Sequence, residues 1–336
     1  MRSHTVPEKL LKNFAYDDSV TGSKRLWRYQ KGRAPYGNAA PKSATRSDGH
    51  FSDPANTAKE AELETRLERE FEHPVNQFLD SIGYDTFVWE PKHIRALTGY
   101  VTMLFTRSRA RRAASQIQAD LMIEALRSVV ADEKKLSALI SKHQVDAFWA
   151  GLDPRLVTRK VVIQAFENQI LGASTPDNGQ RQYINSMETM MRFSDQYLLN
   201  GQWGVIPADN GKRFVIGDAP VVTWVRTENN ILYFGQGFAR PDVEAFLPVS
   251  PMACLHILPL VQRTRLPLRP TTDEINMAQA AFATEHCFTN VRDEALNQLL
   301  QQYFGTVRIG IEGFSIRHID YNESFFKILM GQRRAA

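Results

Sequence analysis

The chain is poor in the residues and motifs that announce a reaction. Cys254 and Cys287 are its only cysteines in 336 residues, and both sit in apolar surroundings, "PMACLHIL" and "EHCFTN". That excludes a disulfide-stapled scaffold and any Cys-x-x-Cys metal or redox motif, and predicts two reduced, buried thiols. No Walker A, no His-Glu-x-x-His and no Gly-x-Ser-x-Gly elbow occurs. "GQGF" lacks the third glycine and the following helix of a dinucleotide loop. Long apolar runs are absent too. The longest stretch, "AFLPVSPMACLHILPLV", is broken by three prolines, and the first residues carry no apolar core of a signal peptide. These absences lead us to expect a cytoplasmic protein without a membrane anchor.

What is present is an ordinary globular composition, 43% hydrophobic and 23% charged. Charge is unevenly placed. Residues 1–50 hold ten Lys/Arg against four Asp/Glu, residues 51–90 three against ten, and "TRSRARRA" is basic again. With a net charge of only +4, this alternation suits lobes that complement one another, or basic faces that meet phosphate.

Three stretches follow, expected to form one composite α+β domain. Residues 1–55 read as a short helix and a hairpin. "PEKLLKNFA" places Leu10, Leu11 and Phe14 on one helix face after Pro7, and "KRLWRYQKGRAPYG" alternates about a turn. "NAAPKSATRSDGHFSD" reads as loop. Residues 56–200 read as a helical layer. Leu63, Leu67, Phe71, Val75 and Phe78 recur at helical steps until Pro74 interrupts, and a second helix starts at Pro91 and ends in basic residues. Further helices are expected near 117–130, 132–150, 153–172 and 179–199. Residues 201–336 read as a mixed or antiparallel sheet with flanking helices near 272–284 and 291–303. "WGVIPADNGKRFVIGDAPVVTWV" gives the strongest hairpin signal, two apolar runs about "DNGK". "TVRIGI" and "FSIRHIDY" close the chain as strands.

The order of these motifs resembles a mostly bacterial family, the domain of unknown function 4238 family. The likeness runs through "HTVPEKLLKNF", "RLWRYQKG", Asn38-Ala39, "ELETRLEREFE", Arg107-Ser108, "FVIGDAPVV", "FLPVSP" and "EINMAQ". The resemblance implies an acidic helix with two glutamates about two turns apart, and six glutamates compete for those places here. It implies no particular activity.

The candidate site residues are His4, Glu64, Glu70, Arg107 and Asp218. His4 is held by the apolar anchor that follows it, and a fixed imidazole ligates metal or moves a proton. Glu64 and Glu70 flank the apolar stripe of the acidic helix, where carboxylates hold a divalent ion or act as acid and base. Arg107 ends a helix, suited either to the helix dipole or to an anion. Asp218 stops a buried strand, suited to capping the next turn or to a ligand role. The simplest joint picture pairs Arg107 with Asp218 or a glutamate, His4 nearby. Two functions fit. One is a hydrolase of nucleic acid or another phosphoester, with Mg or Mn held by His4, Glu64 and Asp218. The other is a non-enzymatic binding or interaction protein in which the same residues form a structural network.

Overall fold

A computed structural model describes residues 2–48, 57–84, 86–109, 112, 123–124, 127–149, 153–164, 196–235, 237–240, 242–259 and 268–307. The chain divides into two compact units, Met1–Ala113 with Ile184–Ile309, and Ala114–Tyr183 with Gly310–Ala336. In the second unit the expected helix over 132–150 is present as Glu133–Trp149. Most of the helices expected over 117–130, 153–172 and 179–199, and the strand "FSIRHIDY", lie outside the described residues.

The first unit is α+β, and all strand pairs among its described residues are antiparallel. Its strands are β1 Arg2–His4, β2 Tyr16–Asp17, β3 Lys24–Gln30, β4 Tyr36–Ala39, β5 Arg46–Asp48, β6 Gln202–Pro207, β7 Ile216–Gly217, β8 Val222–Arg226, β9 Leu232–Phe234, β10 Val243–Ser250, β11 Ala253–Leu258 and β12 His286–Thr289. One sheet has the order β6-β11-β10-β8-β9. A second runs β2-β3-β12-β7 with β4 beside β3, and β1 pairs with β5 alone. The expected N-terminal hairpin β3–β4 therefore takes a late strand, β12, as its neighbour.

The N-terminus is tied down. The helix Glu8–Lys12 follows Pro7, and Val6, Leu10, Leu11 and Phe14 are fully buried. Thr45 accepts the Val6 amide and donates to the Val6 carbonyl, and Asn13 donates to the Val249 carbonyl of β10. Burying side chains of this size stabilises by about 1.5–3 kcal/mol each, which outweighs the fraying expected of a free end. The partner strand comes from a stretch read as loop. Residues 41–44 form a short helix and 46–48 the strand β5. Its Ser/Ala-rich composition carries no strand pattern, and pairing with β1 decides its conformation.

The "DNGK" hairpin is overturned. The turn exists, with Lys212 N–H donating to the Asp209 carbonyl and Gly211 at φ +76°, but its two arms enter different sheets. β6 pairs with β11 while β7 pairs with β12. The helix Thr272–Phe282 explains the divergence. Asp209 and Thr272 exchange two side-chain-to-backbone hydrogen bonds at its first turn. Asn276 then takes the Val215 amide and the Arg213 carbonyl, and Gln279 the Gly217 amide and the Pro220 carbonyl. Side-chain amides thus satisfy backbone groups that a hairpin partner would have satisfied. Within the first of these sheets Trp224 of β8 packs on Phe246 of the neighbouring β10 with ring centroids 4.0 Å apart. Cys254 of β11 and Cys287 of β12 are free and buried, as expected, and burial pushes both thiols well above their usual range.

Candidate functional site

Glu64 and Glu72 stand eight residues apart. In a regular α-helix eight steps overshoot two turns by about 80°, so the two would face different ways. The helix Thr57–Leu67 instead widens into a π-helical turn over Glu68–Glu72, followed by a short α-helical segment at His73–Asn76. Pro74, at the start of that segment, has no N–H to continue a regular ladder, and the wider turn absorbs the extra residue. Both carboxylates then reach one guanidinium.

That guanidinium belongs to Arg107, the C-cap of the helix Pro91–Thr106, whose N–H donates to the Met103 carbonyl. Its side chain is 2% exposed. Nη1 donates to Glu72 Oε1 at 2.8 Å, and Nη2 donates to both oxygens of Glu64 at 3.2 and 2.8 Å. The two helices approach closely because position 99 is glycine. A Cβ there would lie 2.7 Å from the Phe71 ring. Burial raises the Glu72 carboxyl above its usual range, with the Arg107 charge pulling it back. The Tyr100 hydroxyl lies buried beside the pair with no hydrogen-bond partner among the described residues. Burial, then the Glu72 charge, pushes that phenol well above its ordinary value.

His4 lies close enough to Arg107 for the guanidinium charge to act on its ring. It sits opposite Arg46 in the β1–β5 register, and Arg46 Nε donates to His4 Nε2 at 3.1 Å. Burial first, then the charges of Arg46 and Arg107, lower the imidazole to about 4. His4 is therefore neutral near pH 7, with its Nε2 lone pair engaged and its buried Nδ1 without a partner among the described residues.

Asp218 forms a separate centre. Fully buried after β7, its carboxylate accepts the backbone amides of Thr284 at 2.8 Å, Glu285 at 2.8 Å and His286 at 3.3 Å. Burial pushes its carboxyl up to about 6, against those amides and the charge of Arg109. Arg109 in turn pairs with Glu285. Of the two partners expected for Arg107, the structure gives it glutamates, and the cation that acts on Asp218 is Arg109. Of the two bets on the acidic helix, Glu64 is in the cluster. Glu70 is on the exposed side, paired with Arg69 at 2.9 Å. Glu72, the glutamate sequence reasoning passed over, takes its place, and its signal was the two-turn spacing from Glu64 just before a proline. Among the described residues no three His, Cys, Asp or Glu side chains gather closely enough to hold a metal ion. The ligand trio His4, Glu64 and Asp218 is therefore not assembled there, because Arg107 occupies Glu64 and backbone amides occupy Asp218.

The family model described as protein of unknown function (DUF4238) matches residues 2–293. The chain belongs to that family. No curated protein and no solved structure matches it. Among the described residues no helix is long and apolar enough to cross a membrane.

Proposed function

We propose that the chain is a binding or interaction protein whose buried polar centre is a structural network. The network clips the N-terminal segment and the acidic helix to the helix that ends at Arg107. One observation carries this reading: both terminal nitrogens of Arg107 are engaged by carboxylates, and a neutralised guanidinium is a poor receptor for a further anion. Asp218 has the parallel role of holding the 284–286 turn.

A second reading, hydrolysis of nucleic acid or another phosphoester with Mg or Mn, is favoured by a different observation. Glu72, with its raised carboxyl, lies beside the Tyr100 phenol, whose hydroxyl has no described partner. A carboxyl raised toward the working pH is a candidate general acid or base.

The two readings separate in one assay. Wild-type protein and Glu72→Gln are compared on bis(p-nitrophenyl) phosphate, DNA and RNA, with Mg or Mn added. The network reading expects no metal-dependent turnover in either, and a lower melting temperature for the variant. Turnover that Glu72→Gln abolishes while the fold persists would establish the hydrolase and remove the network reading.

A further inference from the structure

Arg28 is the opposite of Arg107: a guanidinium held in place with no carboxylate to meet it. It stands within β3, across from Tyr36 of β4 on one side and Phe288 of β12 on the other. Side chains in register share a face of the sheet, so two rings flank the guanidinium. Its central carbon lies 5.2 Å from the Tyr36 ring centroid and 5.8 Å from that of Phe288. Nη1 donates to the Tyr36 hydroxyl at 2.6 Å, and Nε is shut off from water without a partner. Nη2 is the nitrogen left for a ligand. The rings fix the orientation of the cation and attract it, but they do not neutralise it. Arginine that loses part of its hydration is ordinarily paired. Arg28 is half-buried, yet none of the ion pairs among the described residues includes it.

The surroundings set the charge of the missing partner. His286 lies opposite Gln30 in the same register and stacks on Phe288 with centroids 5.9 Å apart. Burial first, and then the charge of Arg28, lower its imidazole to about 4; Glu285 opposes this, and Arg109 and Arg33 add to it. Three guanidinium groups therefore lie close enough to act on one ring, which is itself neutral near pH 7. Arg109 is answered by Glu285. Asp218, the other carboxylate nearby, is turned to the amides of residues 284–286. Arg33, exposed in the turn that follows β3, forms no ion pair among the described residues. Two positive charges thus stay uncompensated at a surface that solvent reaches, with Tyr36 38% exposed beside them. A carboxylate or a phosphodiester brings only one negative charge. A phosphate monoester brings about −1.5 to −2 near pH 7 and three acceptor oxygens, and guanidinium groups are its favoured receptors.

We infer that Arg28 and Arg33 form a receptor for a phosphate monoester dianion, on the face of β4, β3 and β12 that carries Tyr36 and His286. The site goes beyond the reading of the Arg107 network, and the two stand or fall separately.

Calorimetric titration of the full chain with methyl phosphate, dimethyl phosphate and acetate tests it, on wild type, Arg28→Met, Arg33→Ala and Arg292→Ala. Arg292 serves as the control. It lies 5.7 Å from the ring centroid of Trp27, on the opposite face of β3, and its loss lowers the net charge equally. The expected result is saturable binding of methyl phosphate, with dimethyl phosphate and acetate about tenfold weaker or more, for want of the second charge. Arg28→Met and Arg33→Ala should each weaken methyl phosphate about tenfold or more, the loss of one charge-assisted contact. Arg292→Ala should change it by less than about threefold, since a distant exposed charge is screened. If Arg28→Met does not fold, Arg33→Ala, at an exposed position, carries the test. Titrations with AMP and phosphoserine then name the source of the phosphate, a nucleotide or a phosphorylated side chain, by which of them binds more tightly than methyl phosphate. No saturable binding of methyl phosphate by the folded chain would overturn the assignment. So would equal affinity for acetate or dimethyl phosphate, unchanged affinity in either folded receptor variant, or an equal loss in Arg292→Ala.

Discussion

Two buried charges, handled in opposite ways, organise this protein. Arg107 is surrounded by full charges: two carboxylates meet it, with their side chains 17% and 16% exposed. Asp218 is surrounded mainly by dipoles: three backbone amides of one turn converge on a fully buried carboxylate, and the nearest cation, Arg109, acts from outside its hydrogen-bond shell. An ion pair needs opposite charges brought together from distant elements, here two helices. A cradle of amides needs only one short turn of backbone. The first centre therefore depends on helix packing, and the second on the local path of residues 284–286.

The largest effect is expected at the ion-paired centre. Arg107→Met leaves two carboxylates without their cation and should cost roughly 3–5 kcal/mol, read by urea denaturation. Adding Glu64→Gln and Glu72→Gln should return part of that loss. If the triple variant is no more stable than Arg107→Met, the pairing is not what holds this centre together.

The amide-held centre should reveal itself through pH. Asp218 has a folded value raised to about 6, above the ordinary 3.8, so the native state binds its proton more tightly than the unfolded chain does. The stability it contributes is fully present below about 3.8 and is lost as pH rises through about 6. His4 and His286, both lowered to about 4 by burial first and nearby arginines next, act with the other sign. Each contributes stability above 6.5 that disappears as pH falls through 4. The comparison must therefore be between wild type and Asp218→Asn. Between pH 7 and pH 4 wild type should gain on the variant by on the order of 2–3 kcal/mol. A constant difference across that range would mean that Asp218 does not titrate as a buried acid.

Smaller effects separate the clip from the surface. Thr45→Val removes the two hydrogen bonds to Val6 and should cost about 1–2 kcal/mol. Glu70→Gln breaks an exposed pair with Arg69 and should change stability by less than about 0.5 kcal/mol. A Glu70→Gln loss as large as that of Glu72→Gln would contradict the placement of the acidic helix.

The sequence by itself determined the elements that announce themselves by period or punctuation. Leu10, Leu11 and Phe14 at helical spacing marked the anchored N-terminus, and the stripe from Ile94 to Phe105 marked the helix that delivers Arg107. "GDAP" marked Asp218 as a strand-end aspartate needing partners. The resemblance to the family likewise pointed to a pair of glutamates two turns apart. Only the tertiary structure decided which pair. Ideal helical geometry separates Glu64 from Glu72 by about 80°, and a π-turn over Glu68–Glu72, met by Phe71 against Gly99, brings them together. The tertiary structure also parted the arms of "DNGK". Turn chemistry is local, whereas the choice of strand partner rested on Asn276 and Gln279, some sixty residues away in sequence. Local propensity is written residue by residue. Which distant side chain satisfies a buried backbone group or charge is settled only when the chain has packed.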